Sequence, residues 1–307
     1  MCLQKKLTNM GFQCLSAKDR DLFYRYYDQM NGYWGSALCF ADMVAWSDSF
    51  AIYHKTVGRY MLMLAYDTEK KRWVMLPFLG HYDQESVNEA FFETEEYVKE
   101  LEVPLILMEA AEWMKTYYEG IPEVKWEVIN DRGLCDYLYA AEDFYRHAID
   151  GKDTRYNRKY FQRKYQTTTE LLTPGHLDAC TDFLERSWCA VHQCEECQYG
   201  CLKKTAASVI TNINDLDANG IVIFTEGRVI AYSIVSCHNG LGFFEFKKTE
   251  RGFRGINEYI HKECFERFLQ EARVINYSED MGLEGLRKYK TKLAPYTLAP
   301  RYELRKQ

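Results

Sequence analysis

Apolar residues in the first half of the chain fall into short runs rich in aromatic and β-branched residues. FAIYHK (50–55), RYMLMLAYD (59–67) and RWVMLPFL (72–79) are bounded by polar breaks and predict three strands. From about Gln84 to Glu102 the apolar spacing changes to three and four with acidic residues between, which predicts an amphipathic helix. PLILMEA (104–110) follows as a strand, AEWMKTYYEG (111–120) as a short helix, and VKWEVIN (124–130) and LCDYLYAAE (134–142) as two more strands. GKDTRYNRKYFQRKY (151–165) predicts a basic helix that bridges the halves.

The second half opens with two helical patterns, HLDACTDFLERSWCAVHQ and CLKKTAASVITNINDL. Three strands come next, GIVIFTEG, RVIAYSIVSC and GLGFFEFKK, with Glu226-Gly227 and Asn239-Gly240 where hairpin turns require positive φ. Ile256, Ile260, Cys264 and Phe268 then recur every four residues on one helix face. A strand over 273–279, a helix and the strand YTLAPRYELR complete the pattern, with Pro295 and Pro300 keeping that last strand irregular or at an edge. The resulting order, ααβββαβαβ, is that of a GNAT N-acyltransferase domain; the first half, βββαβαββ, is expected to be a related copy lacking its first helices. The expected fold class is therefore α+β. Two tandem GNAT-like domains, 1–150 and 151–307, would each hold a mixed, mostly antiparallel sheet flanked by helices.

Composition agrees with a globular chain. Of 307 residues 47% are hydrophobic and 27% charged, enough apolar material to build a core at this length. A net charge of −6 argues against indiscriminate nucleic-acid binding but permits a local basic patch. No apolar run reaches the roughly 18–20 residues that span a bilayer, and the start, MCLQKKLTNMGF, has no secretory apolar core. The expected location is the cytoplasm, where the 11 cysteines would be reduced thiols. HQCEECQYGC brings His192, Cys194, Cys197 and Cys201 together, but a second Cys-x-x-Cys pair is lacking, and no firmly bound metal is expected.

Candidate chemistry gathers in INYSEDMGLEGLRKYKTKLAP, residues 275–295. Leu283, Leu286 and Leu293 set a helical stripe in which Lys290 occupies an apolar position beside Arg287. A lysine in a dry core is costly unless paired, so Lys290 is expected to face a polar cleft, with Glu279 and Asp280 as partners. Asp280 alone suits a helix N-cap. In RGFRGIN, Arg251, Arg254 and Gly255 precede a helix and suit an anion, although the glycines are out of register with the usual pyrophosphate loop. The helix at 151–165 interleaves six Lys/Arg with Tyr156, Tyr160, Phe161 and Tyr165, a mix that fits a phosphate backbone with stacking rings, such as the acceptor end of tRNA.

The 275–295 stretch resembles the signature of the phosphatidylglycerol lysyltransferase C-terminal-like family, tandem GNAT-fold proteins some of which move an amino acid from aminoacyl-tRNA to a lipid hydroxyl. YLYAAEDFYRHAIDGKDTRYNRK, FEFKKTERGFRGINEYIHKEC and WCAVHQC resemble other parts of that family. The resemblance implies that Glu279, Asp280, Arg287, Lys288 and Lys290 lie at a donor–acceptor cleft, with Lys152, Arg158 and Arg254 contributing to substrate binding. Tyr277, Asp153 and Thr154 depart from the family's pattern. The expected function is acyl or aminoacyl transfer from an activated donor, acyl-CoA or aminoacyl-tRNA, to an amine or hydroxyl, with peripheral contact to a lipid substrate. Lys290 and Arg287 would stabilise the oxyanion while Glu279 or Asp280 took the proton. The alternative is a catalytically degenerate module that binds a phosphate-bearing ligand or RNA.

Overall fold

A computed structural model describes residues 3–30, 32, 35–190 and 201–307, and divides the chain into two compact units. Unit 1 comprises residues 1–135 and 299–307, and unit 2 residues 136–298. These units meet at 135/136 and 298/299, where the expectation set one division at 150/151: 136–140 joins the second sheet, and the chain beyond Pro300 returns to the first.

Unit 1 begins with helices α1 (Leu3–Asn9), α2 (Arg20–Tyr27) and α3 (Phe40–Ala45), around the two-residue β1 (Gln13–Cys14). The sequence reading missed these helices, although Leu7, Phe23 and Phe40 anchor them in the core. Strands β2 (Phe50–Val57), β3 (Tyr60–Asp67) and β4 (Arg72–Gly80), helix α4 (Gln84–Leu101), β5 (Ile106–Ala111), α5 (Glu112–Glu119) and β6 (Trp126–Asn130) follow the predicted pattern closely. Asp83 caps α4 by accepting from the Ser86 N–H.

Unit 2 opens with β7 (Asp136–Ala140), the short α6 (Ala141–Phe144) and the basic α7 (Lys152–Lys164). Strand β8 (Thr168–Leu171), helices α8 (Leu177–Leu184) and α9 (Leu202–Thr211) and the meander β9 (Ala218–Thr225), β10 (Arg228–His238) and β11 (Leu241–Thr249) come next. Glu226-Gly227 and Asn239-Gly240 all take positive φ, as the two hairpin turns demand. Helix α10 (Ile256–Phe268), β12 (Val274–Asn276), α11 (Glu284–Lys292), β13 (Thr297–Ala299) and β14 (Arg301–Lys306) complete the chain.

The first sheet has the order β1-β2-β3-β4-β5-β14-β6 and the second β13-β7-β12-β11-β10-β9-β8. The predicted closing strand therefore breaks at Pro300, which has no N–H to donate. Its first part edges the second sheet and its last part lies between β5 and β6. Each sheet is mostly antiparallel and contains a parallel pair, β4–β5 in the first and β11–β12 in the second. Both parallel pairs are short: β4 and β5 meet at Met75 and Leu107, and β11 and β12 pair only from Leu241 to Phe243. Beyond Phe243, β11 runs on to Thr249 while the chain after Asn276 turns to β7 through Tyr277 and Tyr137. That divergence is a splay. The apolar body behind it contains Tyr139, Phe144, Phe161, Val235, Ile260 and Ile275.

Candidate functional site

The signature stretch folds into a tight knot at the end of β12. Asp280 has no solvent exposure. Its carboxylate accepts from Arg287 through Nε (2.9 Å) and Nη2 (3.1 Å), from the Tyr137 hydroxyl (2.6 Å) and from the Gly282 N–H (2.9 Å). The carboxylate in turn raises the pKa of Arg287, first through the hydrogen bond and then through its charge. With its lone pairs engaged in this way, Asp280 braces the turn instead of standing open to solvent. The N-cap of α11 is Leu283, so the capping role expected for Asp280 is not what the turn uses.

Lys290 is 5% exposed. Its ammonium donates to the backbone carbonyls of Tyr277 and Glu279 (2.6 Å for the latter) and lies over the rings of Tyr137 and Tyr277. The lysine is thus near Glu279 and Asp280, but it binds Glu279 by its carbonyl and is turned inward. The stripe around it is only partly apolar: Leu293 is buried, whereas Leu283 is 56% exposed because the helix begins after it. Arg287 is half exposed, Glu279 is half-buried, and Lys288 lies outside, paired with Glu284 at 2.7 Å.

The substrate-binding candidates separate into two groups. Lys152, Arg251 and Arg254 are exposed. Arg254 lies over the rings of Tyr156 and Tyr160 and donates to Asn157 Oδ1 at 3.0 Å. Arg158 instead donates to the Ile149 carbonyl (2.8 Å), which ties α7 to the segment before it. Gly255 is the N-cap of α10 at φ 89°, and a Cβ there would stand 2.0 Å from the Asn157 carbonyl oxygen. The start of α10 is therefore pressed against α7. It also carries its own carboxylate, Glu258, which accepts from Asn157 Nδ2. An anion at that helix start would meet a like charge.

A second cluster escaped the sequence reading. Lys247 on β11 donates to the Tyr289 hydroxyl (2.8 Å) and approaches His261 Nε2 (3.2 Å). The same nitrogen lies 2.9 Å from the Tyr277 hydroxyl and 3.3 Å from that of Tyr289. His261 is buried, and burial, then the Lys247 charge, hold its pKa well below the usual value, against a bond to the Ala148 backbone. Burial raises the pKa of the Tyr277 and Tyr289 phenols. Burial, opposed by Glu258 and Cys264 and aided by Lys290, brings the Lys247 pKa down to about 7.

Strict alternation along GFFEFKK puts Lys247 on the face opposite Phe244. The register shows why that fails: Ile234 pairs with Phe246 and Val235 with Phe244, so Glu245 is an extra residue in a bulge. The bulge reverses the alternation and sends Lys247 to the same face as Phe244, toward α10. No residue type in the sequence announces that bulge.

An open hollow of about 740 Å³ lies apart from these clusters, lined by Arg163, Tyr165, Thr168, Phe224 and Tyr259 among others. His192, Cys194 and Cys197 fall outside the described residues. Among the described residues no group of three or more His, Cys, Asp or Glu side chains could hold a metal, and no helix is long and apolar enough to cross a membrane.

The family described as phosphatidylglycerol lysyltransferase, C-terminal, matches residues 32–305, across both units. The chain belongs to that family. No curated protein matches it by sequence. Among solved structures it is similar to a conserved protein of unknown function from Bacteroides thetaiotaomicron (20% identity, TM-score 0.84), covering 96% of this chain and 99% of that one. It is also similar to L-PGS from Bacillus licheniformis (12%, TM-score 0.66; 94% and 92%). A tandem GNAT protein from the clavulanic acid biosynthesis pathway gives 12% and 0.55, over 95% and 97%. At these identities the likeness is one of fold: two tandem GNAT-like domains. Fold and family together are those of acyl- and aminoacyl-transferases.

Proposed function

We infer that unit 2 transfers an acyl or aminoacyl group from an activated ester to an amine or hydroxyl. The observation that carries this reading is the β11–β12 splay, beside which the signature knot is joined through Tyr277 and Tyr289 to Lys247 and His261. In that knot Arg287, half exposed beside Asp280, can face an oxyanion without losing its partner. Positioning of two reactants in such an opening accounts for much of the acceleration in transfer reactions.

Between the two donors, the geometry favours aminoacyl-tRNA over acyl-CoA. A pyrophosphate at the start of α10 would face Glu258 and the Asn157 carbonyl. The exposed Lys152, Lys159 and Arg254, with Tyr156, suit a phosphate backbone, and the mostly polar hollow near the end of α7 offers Tyr165, Phe224 and Tyr259 to an unstacked base. The same surface supports the second reading, an RNA-binding module without turnover.

The test is a panel of bulk aminoacylated tRNA, deacylated tRNA and acetyl-CoA, scored by thermal shift and by loss of the labelled ester. Hydroxylamine and phosphatidylglycerol vesicles serve as acceptors. Aminoacylated tRNA should raise Tm and lose its ester to an acceptor only with protein present. Stabilisation by both tRNAs without ester loss would favour the binding module. No response to any of the three would overturn both readings.

A further inference from the structure

We propose that Lys247 is the proton acceptor of the splay, its amine taking the proton of the incoming amine or hydroxyl. This rests on the transfer reading above. Position is the first argument. Lys247 lies on the part of β11 that has lost its parallel neighbour, four residues beyond the last pair, Phe243 with Asn276. The residue is half-buried, and its amine is sheltered by His261, Tyr277 and Tyr289. Of the two carboxylates expected to serve as base, Glu279 and Asp280, the second is sealed and occupied by Arg287, Tyr137 and Gly282.

Hydrogen bonding is the second argument. His261 Nε2, whose lone pair Lys247 shares with the Tyr277 hydroxyl at 2.9 Å, and the Tyr289 oxygen are two acceptors within reach of Nζ. A neutral amine has two N–H groups and one lone pair. An amine that donates to both of these acceptors turns its lone pair away from them. His261 and Tyr289 are then positioning residues. The groups facing Lys247 set its charge: Glu258, His261 and Cys264 from α10, Tyr277 after β12, and Tyr289 and Lys290 from α11. Burial dominates and holds the amine's pKa near 7, so a substantial neutral fraction exists at neutral pH.

In the step, the nucleophile's heteroatom bonds to the donor's carbonyl carbon and its proton passes to Nζ. The bond from that carbon to the ester oxygen breaks, and the ammonium returns the proton to the leaving oxygen. Neither an oxidant nor a further reactant is required.

Two measurements on the full chain test this. In the first, a trace of a water-soluble activated acetyl ester is applied from mildly acidic to alkaline pH, and each lysine's labelling is mapped by mass spectrometry. Lys247 should reach half-maximal labelling near pH 7, and surface lysines at about 10.4. Lys247 titrating with the surface lysines, or not reacting at all, would overturn the proposal. In the second, Lys247→Met and Lys247→Arg are assayed with the donor that the wild type consumes. Both should lose about 100-fold or more in rate with donor KM little changed. The arginine variant keeps a cation and so separates proton acceptance from simple charge. Either variant retaining the wild-type rate and pH profile would overturn the proposal. If the wild type consumes no donor, the transfer reading fails by itself, and the labelling result alone decides whether Lys247 is a proton acceptor.

Discussion

Lys290 and Lys247 flank the same ring, that of Tyr277, with centroid distances of 5.2 and 5.5 Å, yet they meet burial in opposite ways. Lys290 satisfies its ammonium with two backbone carbonyls. Lys290→Met should therefore orphan those acceptors and lower stability by about 2 kcal/mol or more, read from the denaturant midpoint. An unchanged midpoint would mean that water replaces the ammonium. This differs from the cleft-facing lysine that the sequence suggested, for which loss of the charge would cost little. Lys247 has a phenol and a neutral imidazole for partners instead. Its folded pKa lies near 7, below that of a free lysine. Between those values the unfolded chain binds more protons, so stability should rise with pH. Lys247→Met should accordingly be more stable than wild type below pH 7, and the gain should shrink as pH climbs toward about 10.4. A gain independent of pH, by calorimetry at several pH values, would contradict the depressed pKa.

At the scale of elements, periodicity was informative wherever one face of a helix or strand is buried. The α10 stripe is real, with Ile256, Ile260 and Cys264 buried and Phe268 packed against the same core. The hairpin glycines and the helix at 152–164 were legible for the same local reasons. What pattern alone cannot carry is partnership. The Glu245 bulge and the inward turn of Lys290 depend on the register of neighbouring segments, and the sealing of Asp280 on Tyr137, 143 residues earlier. Gly255 is an intermediate case: the sequence marked it for an anion, whereas its visible task is close packing of α10 on α7. Gly255→Ala would force a Cβ onto the Asn157 carbonyl at a positive φ. It should cost about 1–3 kcal/mol and loosen the Arg254–Tyr156 stack, measured by denaturation and by amide exchange over α7. Exchange in α7 equal to wild type would show that the helices part without consequence.

For the whole molecule, membership of the two sheets is the feature that sequence order conceals. Strand β14 pairs antiparallel with both β5 and β6, through Arg301 with Ala111 and Tyr302 with Asn130 among other pairs. Arg301 and Arg72 add ion pairs inside the same unit, to Glu109 and Glu303. Removing residues 300–307 should leave two bare strand edges in the first sheet. Limited proteolysis of that truncation should then cut within residues 1–135 and spare 136–298. Equal resistance of both segments would show that the first sheet closes without its seventh strand.

That arrangement also constrains how the protein can be made. A ribosome releases residues 1–135 long before it reaches 301, so the first sheet must wait with a gap while the whole second unit is synthesised. Domain-by-domain folding during translation, the usual route for tandem proteins, is therefore open to unit 2 before unit 1. The amino-terminal part of the chain would be the last to finish, and the stage most in need of a chaperone's protection.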